Sequence, residues 1–141
     1  MRNRENILEF SGLALGEHHL EYKVNETFFS SFDLIELQGI HPTTVYVILK
    51  KANHMMELAL SFKGKKDTVC DLTNDPFTLD ISNSFSLIVK FGDEFNDEDP
   101  EILVLSQGEY EINLKQLFFE LIALSIPIQK IKPGNEIIKD Q

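Results

Sequence analysis

From Phe77 to Phe91 the chain alternates with a period of two. Phe77, Leu79, Ile81, Phe85, Leu87, Val89 and Phe91 share one parity, interrupted only by Asn83, and Thr78, Asp80, Ser82, Ser84, Ser86 and Lys90 share the other. That period predicts an antiparallel sheet with one buried face and one wet face. It recurs upstream, so residues 43–91 read as four strands in series. The first holds Val45, Val47 and Leu49 against Tyr46 and Ile48. Being apolar on both sides, it is expected to lie centrally with its second face covered. Lys50-Lys51-Ala52-Asn53 makes a hairpin connection to the second strand, where Met56, Leu58, Leu60 and Phe62 alternate with Glu57, Ala59, Ser61 and Lys63. Lys63-Gly64-Lys65-Lys66 is expected as the next turn, with Gly64 free to take positive φ. A short strand through Thr68-Val69-Cys70 and a turn-like run from Asp71 to Pro76 then lead into the long alternating strand.

The flanks complete the pattern. Ile7, Leu8 and Phe10 predict a short strand, and His18, Leu20, Tyr22 and Val24 a second. Asn25 is placed to cap a short helix carrying Phe28, Phe29 and Phe32, and His41-Pro42 breaks the chain before Thr43. Residues 92–101 form an acidic excursion, with Asp93, Glu94, Asp97, Glu98, Asp99 and Glu101, expected to be mobile. Ile102 to Leu105 is a short strand, Gly108 a turn, and Tyr110 and Ile112 a brief extension. The period then changes: Leu114, Leu117, Phe118, Leu121, Ile122 and Leu124 follow helical spacing, with Asn113 and Gln116 as a capping box and Pro127 as the stop. The tail, residues 130–141, is polar and expected to fray. The fold class is therefore α+β in one domain, residues 1–141: a meandering antiparallel sheet, able to curl toward a barrel, covered by a C-terminal helix and a short helix in the N-terminal half.

Composition narrows the chemistry. No apolar run approaches the roughly 20 residues of a membrane span, and no apolar stretch follows the N-terminal charges as in a signal peptide. A single cysteine fits a reducing compartment, hence the cytoplasm, and rules out a multi-cysteine zinc site. The net charge of -10 is unfavourable for whole-surface RNA binding, whose affinity comes from Lys and Arg on phosphates; on composition alone it is accounted for by plain solubility, and it also suits a protein that meets basic partners such as ribosomal proteins.

No catalytic, cofactor or metal constellation is assembled. The acidic excursion lacks the central glycine of a calcium loop, so Asp97, Glu98 and Asp99 read as a solvated charge run or a docking loop for a basic partner. His18, His19, His41 and His54 are scattered, and His18 and His19 point to opposite faces of a strand. Asp71 should raise the pKa of the adjacent Cys70 thiol, so Cys70 reads as packed and inert. Lys63, Lys65 and Lys66 form a hairpin tip that could contact a partner or a small stretch of RNA.

Taken in order, these pieces resemble the YceD family of large ribosomal RNA accumulation proteins. The likeness runs from Phe10-Ser-Gly-Leu13 and Gly16 through Tyr22 and Phe28-Phe29. It continues with Val45-x-Val47-x-Leu49-x-Lys51 and Leu58-x-Leu60-x-Phe62-x-Gly64, then Cys70-Asp71, and closes on Ile112-Asn113-Leu114, Glu120, Leu124 and Ile126-Pro127. The resemblance marks Gly64, Cys70, Asp71, Glu120 and Pro127 as family-motif positions. It implies a role in accumulation or processing of large-subunit ribosomal RNA, with no known catalytic reaction. Family members often carry Cys-Asp-Arg-Cys, where this chain has Leu72 and Thr73 in the last two places, and many carry further cysteines in a C-terminal extension. Asn113 stands for the usual Asp and caps about as well. The expected function is a non-enzymatic factor acting through a basic ribosomal protein or assembly factor, with direct rRNA contact weak. The alternative is a carrier holding a small apolar ligand inside a curled sheet.

Overall fold

In the computed structural model, which describes residues 5–133, these patterns become eight strands and two α-helices among the described residues. They are β1 (Ile7–Glu9), β2 (Gly16–Val24), α1 (Glu26–Ser30), β3 (Thr43–Lys51), β4 (Met55–Val69), β5 (Pro76–Gly92), β6 (Asn96–Asp99), β7 (Ile102–Ser106), β8 (Glu111–Asn113) and α2 (Lys115–Ala123), with a 3-10 turn over Ile35–Leu37. The architecture is α+β. Six strands make one open sheet in the order β2-β3-β4-β5-β7-β6, and β1 pairs with β8 in a separate two-stranded ribbon.

Alternation sets the register. Val47 of β3 lies opposite Leu60 of β4, which lies opposite Phe85 of β5; in the next layer Leu49, Leu58 and Leu87 line up. Their side chains share the inner face, where Val45, Val47, Leu49 and Val89 are fully buried. α2 lies over β4 and β5 and seals that face with Phe118, Leu121 and Ile122. Phe118 meets Tyr22 of β2 at a ring separation of 5.2 Å, and Phe32, after α1, stacks on Phe119 at 4.4 Å. Burying side chains of this size contributes roughly 1.5–3 kcal/mol each before conformational entropy is subtracted. Asn83, the polar residue on the apolar parity of β5, faces α2 and donates from Nδ2 to the Leu121 carbonyl at 3.1 Å. The caps form largely as expected: Asn25 Oδ1 accepts from the Thr27 amide at 3.1 Å, and Asn113 Oδ1 accepts from the Lys115 amide at 2.9 Å. Formally Leu114 is the α2 cap residue, one position later than expected. The helix is over by Leu124, three residues ahead of Pro127.

The structure corrects several expectations. Residues 43–91 hold three strands, not four, because β4 runs unbroken through Lys63-Gly64-Lys65-Lys66 and turns only after Val69. Each residue of that stretch has a partner on β5, Gly64 pairing with Ile81, so the long ladder outweighs a local turn signal. Gly64 does not adopt positive φ; a Cβ there would come within 2.9 Å of Thr43 Oγ1, so glycine serves close packing. The acidic excursion is partly ordered as β6, an edge strand whose four side chains are all exposed. Apolar β7 inserts between β5 and β6 and runs parallel to β5, which makes the sheet mixed and leaves the charges at the edge, where water solvates them. β3 is internal, but its second face stays open, with Tyr46 48% exposed. The sheet does not close into a barrel. The tail expectation falls mostly on residues 134–141, outside the described residues; Lys130 and Lys132 are held by backbone hydrogen bonds to Asp71 and Cys70. Among the described residues no helix is long and apolar enough to cross a membrane.

The tight approach at Gly64 is testable by denaturant unfolding. Gly64→Ala should lower stability by about 1–3 kcal/mol, and by distinctly less in a Thr43→Ala background, where the opposing hydroxyl and methyl are gone.

Candidate functional site

Two places collect the motif residues. The first is the turn after β4. Cys70 is 1% exposed, and its amide donates to the Asp75 carbonyl at 2.8 Å while its carbonyl accepts from the Asn74 amide at 2.8 Å. Asn74 takes a left-handed conformation (φ 62°), which Asn tolerates well. The turn grips the chain that follows α2. The Asp71 amide donates to the Lys130 carbonyl at 2.7 Å, and the Lys130 amide donates back to Asp71 Oδ2 at 2.7 Å. The Lys132 amide donates to Cys70 Sγ at 3.4 Å. Pro127, exposed, lies in the bend that carries the chain from α2 toward this grip. Cys70 and Asp71 thus act as a clamp on the C-terminal segment.

The thiol shifts opposite to expectation. A hydrogen bond from the Thr73 side chain and the Lys132 amide lower Cys70 to about 7, outweighing burial, which raises it. Asp71 does not raise it because its carboxylate is turned to the Lys130 amide.

The three lysines offered as a contact loop do not form one. Lys66 sits on the inward parity of β4, only 4% exposed, and its ammonium donates to the Gln38 carbonyl. Burial, with Lys130 nearby, lowers its pKa, while Glu36 opposes the shift. Lys65 is exposed but paired with Asp80 at 2.6 Å. Lys63 is exposed on the outer face, opposite Ser82.

The second place is a groove of about 1020 Å³ on the inner side of the sheet, beside α2. Its floor is Phe85 and Leu87 of β5 with Leu103 and Leu105 of β7. One wall is α2, through Leu117, Glu120 and Leu124; the other is the β6 region, through Phe95, Asp97, Glu98 and Asp99. Tyr110 and Glu109 close one end. The fold therefore gathers Asp97, Glu98 and Asp99, read from the sequence as one charge run, with Glu120, read as an isolated motif position far along the chain. Glu101 and the buried Glu111 add to the same lining, which carries no lysine, arginine or histidine among the described residues. Phe95, Tyr110 and Leu124 are 57%, 51% and 76% exposed, so apolar surface and negative charge coincide here. The sequence pattern could mark the acidic wall; only the mixed sheet places it across from α2. The groove is open and its walls are anionic, unlike the enclosed apolar interior that a small-ligand carrier requires. Among the described residues no group of acidic, histidine and cysteine side chains is arranged to hold a metal ion.

The family model described as large ribosomal RNA subunit accumulation protein YceD matches residues 58–140. The match covers β4 from Leu58 onward through α2, most of the groove, and all five motif positions, Gly64, Cys70, Asp71, Glu120 and Pro127; the stretches of the likeness before residue 58 lie outside it. The chain matches no curated protein and no solved structure. Thr73, at the position where the resemblance implies a second cysteine, is the largest influence lowering the Cys70 thiol.

If the clamp shields the thiol, Asp71→Ala should raise the rate of Cys70 alkylation in the native protein by at least about ten-fold with little loss of global stability, as for release of a terminal segment. The depressed thiol pKa has a second consequence. Its stabilising effect is present above the unfolded cysteine value of about 8.5 and is lost as pH falls through about 7. Relative to Cys70→Ala, the wild-type protein should therefore lose stability over that interval in pH-dependent denaturation.

Proposed function

The chain belongs to the YceD family, and on that premise we propose that it serves large ribosomal subunit biogenesis by holding a basic ribosomal protein or ribosome-assembly factor in the acidic groove. The family description ties it to accumulation of large-subunit ribosomal RNA. The finer reading is of a cytoplasmic, non-enzymatic factor whose effect on the RNA passes through a protein.

One observation carries this reading: carboxylates on both walls of the groove flank exposed Phe95, Tyr110 and Leu124, with no cation among the described lining residues. A field of one sign over a concave surface draws oppositely charged ligands and speeds their encounter. The apolar floor supplies burial once the partner is seated. The same field repels phosphates, so RNA contact at this surface is weak. Ribosomal proteins and their assembly factors are rich in the Lys and Arg that the groove would complement.

Deletion of the gene should lower the ratio of large- to small-subunit RNA, and the wild-type chain should restore it. A Glu120→Lys, Asp97→Lys double variant should fold but fail to restore the ratio, and should lose a basic ribosomal protein or assembly factor that the wild type retains after nuclease treatment. Full restoration by the charge-reversed variant would contradict the proposal.

A further inference from the structure

Resting on the reading of the groove as the partner site, the geometry points to a specific occupant: a short amphipathic helix of that basic protein, about two turns long, with leucine-like residues on one face and Lys or Arg on its flanks. The groove lies over the face of the sheet rather than along its edge, with strands below and a helix beside it. In a layered α+β fold the element that covers a sheet face next to a helix is another helix. α2 is placed over β4 and β5, and the groove continues that layer sideways over β5 and β7.

Size agrees. A helix about 10 Å across that rises 1.5 Å per residue fills about 120 Å³ per residue, so 1020 Å³ takes about eight residues. The chemistry is banded in the way an amphipathic helix requires: apolar Phe85, Leu87, Leu103 and Leu105 lie below, with Glu120 on one wall and Asp97 and Asp99 on the other. Leucines at i, i+3, i+4 and i+7 would meet the floor, and flanking cations would meet both walls. A strand is a poorer fit. It would add at the free edge of β6, where Asn96–Asp99 present exposed, mostly acidic side chains, and would leave the floor uncovered.

The test uses the full-length protein and two synthetic peptides of about twelve residues with identical Leu and Lys content. One has leucines at helical spacing; the other alternates Leu and Lys. Fluorescence anisotropy at about 150 mM salt should show the helical pattern binding at least about ten-fold more tightly. That peptide should gain helical far-UV signal on binding and shift the NMR resonances of Leu103, Leu105 and Leu117. Leu124→Glu and Tyr110→Ser, both at exposed positions, should weaken it by about ten-fold while leaving the unfolding transition unchanged. Equal binding of the two peptides, or no binding of either, would overturn the inference. So would a dimer in sedimentation that Leu124→Glu dissociates, since the groove would then seat a second copy. If the charge-reversed groove still loses its basic partner while the helical peptide shows no preference, the helix inference falls and the partner reading survives. If both fail, both fall.

Discussion

The structure depends on one interaction, the ladder between β4 and β5. All fifteen residues of β4, from Met55 to Val69, face a partner on β5. Fifteen consecutive pairings leave no room for a register slip, because a shift by one residue would turn Leu58, Leu60 and Phe62 outward. With this hairpin set, β3 aligns on one side of β4 through Val45, Val47 and Leu49, and β7 on the other side of β5 through Leu103 and Leu105. The inner face then needs a cover, and α2 supplies it with Phe118 and Leu121.

Several polar side chains follow from that constraint. A ladder this long carries Lys66 inward, and its ammonium is satisfied at the Gln38 carbonyl. Lys51, at the end of β3, donates to the carbonyls of Phe10 at 2.7 Å and Leu13 at 2.8 Å, tying the N-terminal loop to the sheet. Asn83 is held by the last turn of α2. Hydrogen bonds from charged groups contribute more than neutral ones, and a buried donor left without an acceptor is strongly destabilising. Among the described residues no buried side-chain nitrogen or oxygen lacks a partner. The residues that look misplaced on the pattern thus join the sheet to its surroundings.

The same constraint explains what was legible in the sequence. Alternation over Phe77–Phe91 is a local property, and β5 follows it residue by residue; so does the helical spacing of α2. Gly64 between lysines looks like a turn because local chemistry says nothing of a partner strand fifteen residues long. Continued with the parity of Leu58, Leu60 and Phe62, however, the same run places Lys66 in the core, which was the available signal. The parallel pairing of β7 with β5 was not legible, since it depends on where a charged edge strand can lie. For that reason the groove was only half visible: Asp97, Glu98 and Asp99 were evident as charge, but Glu120 faces them only through the tertiary arrangement. Cys70 and Asp71 were visible as a motif, while the segment they grip, Lys130 to Lys132, lies some sixty residues away.

The dependence of the fold on the β4–β5 ladder can be read amide by amide by native-state hydrogen exchange. That dependence requires amides of residues 58–62 and 85–89 to exchange slowest, at the rate of global unfolding, while those of β6 and of Lys130 and Lys132 exchange through much smaller local openings. Exchange of the β4 and β5 amides as fast as those of β6 would contradict it.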